Sequence, residues 1–199
     1  QQVEHLFAGS PVVSFSSIER IVRYLGQSES KSKNNNDNKS NYAKLLVNNL
    51  VKQGKIYVLG KGWYTGHKEI SLAVFCFKPA YLGLQSALSK HNLWEQETIP
   101  VIITTQKVRP GIRKIMGANV LLRRIKKDYF FGTQTYEEGE FYLPYSDIEK
   151  TLIDLIVFRE SLSKDVLEEF NEKIDPKKLK KYLQAYPSRI KKMVVKAVS

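Results

Sequence analysis

Cysteine is nearly absent from this chain: Cys76 stands alone among 199 residues. An intramolecular disulfide is therefore excluded, and a reducing compartment, the cytoplasm, is expected. Cys76 lies in the apolar run LAVFCF, the setting of a buried small hydrophobe rather than a nucleophile. Histidine is equally scarce. His5, His67 and His91 are far apart, and neither CxxC nor HExxH occurs, so neither a metal site nor a cofactor is expected. Also missing are a Walker A loop, a GxGxxG after a strand and a G-x-S-x-G elbow. No apolar run approaches the ~18 residues of a membrane span, so no membrane partner is expected. The chain starts on Gln1 rather than Met, and no charged segment followed by an apolar one marks a signal peptide.

Acidic residues are missing from whole stretches. The formal net charge is +12, which points to a polyanion partner, most often nucleic acid. Eight basic residues between Lys107 and Lys127 meet no acid: Lys107, Arg109, Arg113, Lys114, Arg123, Arg124, Lys126 and Lys127. From Lys173 to the end, nine bases face only Asp175, whereas Tyr129–Glu172 holds eleven acids and three bases. A uniformly solvated surface does not segregate charge in this way. The run 107–127 is expected to form a basic surface, although Arg123 and Arg124, as successive strand residues, cannot share a face. One of them needs a partner, or the strand ends there.

The patterning predicts an α+β protein with two domains. Residues 1–68 read helix, helix, helix, hairpin, the order of a winged helix-turn-helix. Val3, Leu6 and Phe7 mark a first helix, and SSIERIVRYLG, capped by Ser14 or Ser16, a second. Residues 27–40 are a polar insert that either carries Lys31, Lys33 and Lys39 toward a phosphate backbone or is a tolerated surface insertion. A third helix is expected over about 41–53, running into Gly54, with Tyr42, Leu45, Leu46 and Leu50 inward. A hairpin wing turns at Gly60-Lys61-Gly62. Asn41, Lys44, Asn48 and Lys52 offer donors and cations on the opposite face, the types that read base edges and phosphates. With Lys61, and with Tyr42 counted in both sets, these are the candidate DNA-binding residues. No catalytic or metal-binding residue is assigned.

Residues 69–199 are expected to form a mixed α/β domain ending in helices. LAVFCF, IPVIITT, NVLLRRI, DYFFG and EFYLP read as strands, VRPGIRKIMG as a turn-rich hairpin. Pro79 is placed in the first turn of a helix AYLGLQSALSKHNLW. Ser146-x-x-Glu149 has capping-box spacing ahead of a helix with Ile148, Leu152, Leu155 and Ile156 inward. Ser163, Asp175-Pro176 and Ser188 are expected to open further helices.

YAKLLVNNLVKQGKIYVLGKGWYTG resembles the N-terminal winged helix of the AbiE-type antitoxins of type IV toxin–antitoxin systems. Three further stretches are similar to landmarks of that family, in order: Ser86-Ala87-Leu88 with His91, IPVIITTQKVRP, and DIEKTLIDLI with Glu149, Leu152 and Asp154. The polar insert, and Asn92-Leu93-Trp94 where the family often has Gly-Leu-Thr, depart from the pattern. The resemblance implies a transcriptional autorepressor. Such a protein binds inverted repeats in double-stranded DNA upstream of its own operon and antagonises a nucleotidyltransferase-like toxin in viral defence. The enzymatic alternative is a Mg²⁺-dependent nuclease or nucleotide-processing protein with Glu149 and Asp154 as its carboxylates. It requires those two groups to open into a cleft.

Overall fold

The computed structural model describes residues 2–25, 35–93 and 98–198, and the protein is α+β. Two compact units are formed, Gln1–Cys76 with Ile115–Ala118, and Phe77–Lys114 with Asn119–Ser199. The division therefore falls after Cys76 and not at the 68/69 boundary read from the sequence. Ile70–Phe77, which contains LAVFCF, is a 3-10 helix instead of the expected strand. Periodicity cannot separate a buried strand from a buried helix in so short an apolar run. Leu72, Ala73 and Val74 are fully buried, and burial pushes the Cys76 thiol up to about 12, leaving it inert at neutral pH.

The first unit runs α1 (Gln2–Gly9), β1 (Val13–Ser14), α2 (Phe15–Leu25), α3 (Asn35–Lys52), then the hairpin β2 (Tyr57–Gly60) and β3 (Trp63–Thr65). Ser14 caps α2, its Oγ accepting the Ser17 N–H at 3.1 Å. β1 joins the hairpin as a third, antiparallel strand in the order β1-β3-β2. Phe7, Val13, Ile18, Val22, Ala43, Val47, Leu50 and Ile56 form the core. Each large aliphatic among them contributes roughly 1.5–3 kcal/mol. α3 begins at Asn35, within the polar insert and earlier than the sequence suggests; Lys31, Lys33 and Trp94 lie outside the described residues. The helix stops at a two-bond cap. Lys55 N–H donates to Leu50 O and Gly54 N–H to Val51 O, both at 3.0 Å, with Gly54 at φ 70° where a side chain would be strained.

The phase of α3 differs from expectation. Ala43, Val47 and Leu50 are buried, while Tyr42 and Leu45 are 59% and 58% exposed. The inward stripe is thus rotated by one residue, and of the four residues expected inside only Leu50 is fully so.

In the second unit a six-stranded sheet has the order β6-β7-β5-β4-β9-β8. Its strands are β4 (Ala80–Leu82), β5 (Val101–Thr104), β6 (Gly111–Ile115), β7 (Ala118–Arg124), β8 (Thr133–Glu138) and β9 (Phe141–Ser146). β5 runs parallel to β7 and antiparallel to β4, and β9 runs parallel to β4 and antiparallel to β8. Residues after Pro79 extend the sheet as β4, so the expected long helix is reduced to α4 (Gln85–Lys90). DYFFG is not a strand: Lys127–Tyr129 is a 3-10 turn, and the pairing strand is β8 beyond it.

The helices α5 (Ile148–Val157), α6 (Lys164–Lys173), α7 (Pro176–Leu183) and α8 (Ser188–Ala197) complete the unit. α5 is buried at every position from Glu149 to Ile156, the state of a helix enclosed on all sides. Its cap is Asp147 rather than Ser146; Asp147 Oδ1 accepts the Lys150 N–H at 2.9 Å, and Ser146 Oγ pairs with Thr151 Oγ1 instead. Ser163 caps α6 and Asp175 caps α7, whereas α8 is preceded by Pro187 and gets no side-chain cap from Ser188.

Candidate nucleic-acid interface

The rotation of α3 decides what its outer face presents. Asn41, Leu45, Asn48 and Lys52, spaced i, i+4, i+7, i+11, follow one another along a single exposed line. Lys44 flanks that line on one side, Tyr42 and Asn49 on the other, and all are exposed. The helix rise of ~1.5 Å per residue makes the stripe roughly 16 Å long, enough to follow several base pairs of a major groove. Lys44 and Asn48 also line an open concavity of about 290 Å³ with Phe15, Val47 and Tyr64. α3 and the hairpin strand β3 therefore share one recessed surface.

Lys61 is exposed at the hairpin turn, where Gly62 takes φ 77° between the paired residues Gly60 and Trp63. Lys68 sits over the Tyr57 ring at 5.9 Å. Between Ser40 and Lys68 the chain carries Lys44, Lys52, Lys55, Lys61 and Lys68 and no acid. Glu69 follows the segment directly and Asp37 precedes it on α3, while Glu19 on α2 is ion-paired with Arg23 at 3.1 Å. A hydrogen bond from Ser40, with the charges of Arg23 and Lys44, keeps its carboxyl below the usual range. The six candidate residues Asn41, Tyr42, Lys44, Asn48, Lys52 and Lys61 are thus all exposed and all in the first unit. Leu45 and Asn49 are also exposed on this face and were not among the candidates; Leu45 was expected inward, because leucine counts as a core residue in any hydrophobic pattern.

In the second unit seven of the eight basic residues between 107 and 127 are exposed: Lys107, Arg109, Arg113, Lys114, Arg124, Lys126 and Lys127. Arg123 is the exception. It has the partner that strand alternation demanded, Glu160 at 2.8 Å, and its guanidinium lies 5.7 Å from the centre of the Phe158 ring. β7 ends at Arg124.

The carboxylates of the enzymatic alternative are enclosed. Asp154 is fully buried, ion-paired with the equally buried Lys150, and accepts the Tyr81 hydroxyl at 2.6 Å. Glu149 accepts the Asp175 N–H at 2.9 Å and meets Lys178 at 2.8 Å. Lys178 also reaches Asp147 at 3.1 Å. Partial burial works against its charge, but the two carboxylates outweigh this and hold the ammonium above its usual range. His91 donates from Nε2 to Ser146 O at 2.7 Å, and burial keeps its ring below the ordinary value of 6.5. Among the described residues no three His, Cys, Asp or Glu side chains gather where they could hold a metal ion. No helix among them is long and apolar enough to cross a membrane.

No protein-family model and no curated protein matches this chain. Among solved structures it is similar to the crystal structure of the RV2827C protein from Mycobacterium tuberculosis, at 12% identity and a TM-score of 0.54. The alignment covers 94% of this chain and 80% of that one, and the likeness is one of fold.

Proposed function

We propose that the chain is a sequence-specific, DNA-binding transcriptional regulator of the cytoplasm, with its first unit acting as a winged helix-turn-helix. α3 enters the major groove and the β2–β3 hairpin is the wing. The observation that carries this reading is the outer face of α3 from Asn41 onward, where Asn41, Lys44, Asn48 and Lys52 are all exposed in a stretch, 40–68, that holds no acid. On this face the carboxamides and lysines Asn41, Lys44, Asn48, Asn49 and Lys52 outnumber Tyr42 and Leu45, the aromatic and apolar types that a protein-binding face is built from. The resemblance to AbiE-type antitoxins extends the proposal. The regulator represses its own operon through inverted repeats, and its second unit opposes a nucleotidyltransferase-like toxin. A binding role and not a nuclease is favoured by Glu149 and Asp154, whose oxygens are committed to internal partners. The direct test is a gel shift with the DNA upstream of the protein's own reading frame. Binding no tighter than to an unrelated duplex refutes the proposal.

Lys61→Glu is expected to weaken binding to all sequences alike. Titration of affinity against salt should show a slope shallower by about one or two counterions, at ~0.9 per lost phosphate contact. An unchanged slope means that the wing does not touch DNA.

The basic surface of the second unit is proposed to extend the DNA footprint or to meet an acidic partner. Simultaneous charge reversal of Arg113, Lys114 and Arg124 leaves the Arg123–Glu160 pair intact. It is expected to lower operator affinity or toxin neutralisation, measured separately. Retention of both, with the fold intact, removes any functional meaning from the charge segregation here.

A further inference from the structure

We infer that α3 selects A·T base pairs, with Leu45 packed on a thymine 5-methyl group between Asn41 and Asn48, each paired with adenine. The inference rests on the DNA-binding reading above and names the sequence class that the site takes.

A singly exposed leucine is ordinary on a protein surface. The context of Leu45 is not. It is 58% exposed midway along a line whose other members are Asn41, Asn48 and Lys52. A carboxamide offers one acceptor and one donor group, which match the N6 donor and N7 acceptor on the major-groove edge of adenine. Guanine presents two acceptors there and is met by arginine or lysine. Arginine is absent between Arg23 and Arg109, so none stands on α3 or on the hairpin. The lysines stand at the margins, Lys44 on the flank and Lys52 at the end of the helix, where they reach phosphates. That leaves the apolar centre of the line. Cytosine would place an N4 donor against Leu45 with nothing to accept it. Thymine places a methyl group there, the one apolar feature among the four base edges. Asn–Leu–Asn in a row therefore fits consecutive A·T pairs, with thymine facing Leu45.

The test uses the full chain. Binding sites are selected from a library of random-sequence duplexes, and the winning duplex is remade with uracil replacing thymine, which deletes only the methyl groups. The selected sites should hold A·T pairs at the contacted steps. Uracil should weaken binding by about fourfold per contacted methyl, the effect of one buried methylene-sized group. Leu45→Ala should bind the thymine and uracil duplexes equally, while Leu45→Met should retain the preference. Leu45 is exposed, so neither substitution disturbs the core. Selected sites with G·C at these steps, or a thymine-to-uracil ratio unchanged by Leu45→Ala, overturn the inference and leave DNA binding standing. Failure to enrich any sequence overturns the DNA-binding reading itself.

Discussion

Replacing Asp154 with leucine is expected to destabilise the protein by about 3–5 kcal/mol, the cost of leaving one charge of a buried pair without its partner. Lys150 and Asp154 are both fully buried, one turn apart on α5. The aromatic rings of Tyr81, Phe131 and Tyr186 surround the ammonium, 5.5–5.9 Å from it. Lys150 also donates to the Tyr186 hydroxyl at 3.1 Å. Burial pushes Lys150 down and Asp154 up, while each charge opposes the shift of the other. With Asp154 gone, Lys150 must either lose its proton or remain an uncompensated cation, and the Tyr81 hydroxyl loses its acceptor. The double variant Lys150→Met, Asp154→Leu should recover most of the loss, because an apolar pair of similar volume needs no compensation. Urea denaturation of the two variants measures both effects. A loss below ~1 kcal/mol in the single variant would show that water or a nearby group already compensates Lys150.

Changing Asn41, Lys44, Asn48 and Lys52 together to alanine is expected to abolish specific DNA binding. The affinity for the operator should fall to the non-specific level, a loss of about 10³-fold or more. All four side chains are exposed, so circular dichroism and thermal stability should be unaffected. Asn48→Ala alone should cost about 1–3 kcal/mol at one operator position. An equal loss on every sequence would instead place Asn48 against phosphate. Full retention of binding by the quadruple variant would remove α3 from the interface. The wing lysine cannot compensate, since a single phosphate contact carries charge but no sequence information.

How much of this was legible beforehand varies with the physical signal. Local chemistry was readable. Ser163 and Asp175-Pro176 open helices because their side chains satisfy the first free N–H groups wherever they occur. Gly60-Lys61-Gly62 turns a hairpin because β-forming residues flank residues that tolerate a tight reversal. The exposed polar residues of α3 were identified correctly as exposed, since lysine and asparagine seldom enter a core.

Phase and partnership were not readable. Tyr42 and Leu45 are more apolar than Ala43, so a hydrophobic pattern places them inside; packing in the first unit buries Ala43 and Val47 instead. The period of α3 was thus available, but its rotation depended on which side chains fit against α2. LAVFCF carries the same ambiguity in stronger form, because an all-apolar run has no phase at all. Asp147 and not Ser146 caps α5, and its second oxygen, Oδ2, accepts the Tyr182 hydroxyl at 2.8 Å from 35 residues away in sequence.

The sequence by itself therefore determined the α+β class, the caps of α2, α6 and α7, the hairpin turn and the division of charge along the chain. Each depends on a residue and its near neighbours. Only the tertiary structure decided that α3 turns Leu45 outward between two asparagines, that Arg123 is neutralised by Glu160, and that Lys150 and Asp154 are sealed together in the core. Those outcomes depend on groups brought together from distant elements, and on the desolvation of charges that only a closed core imposes.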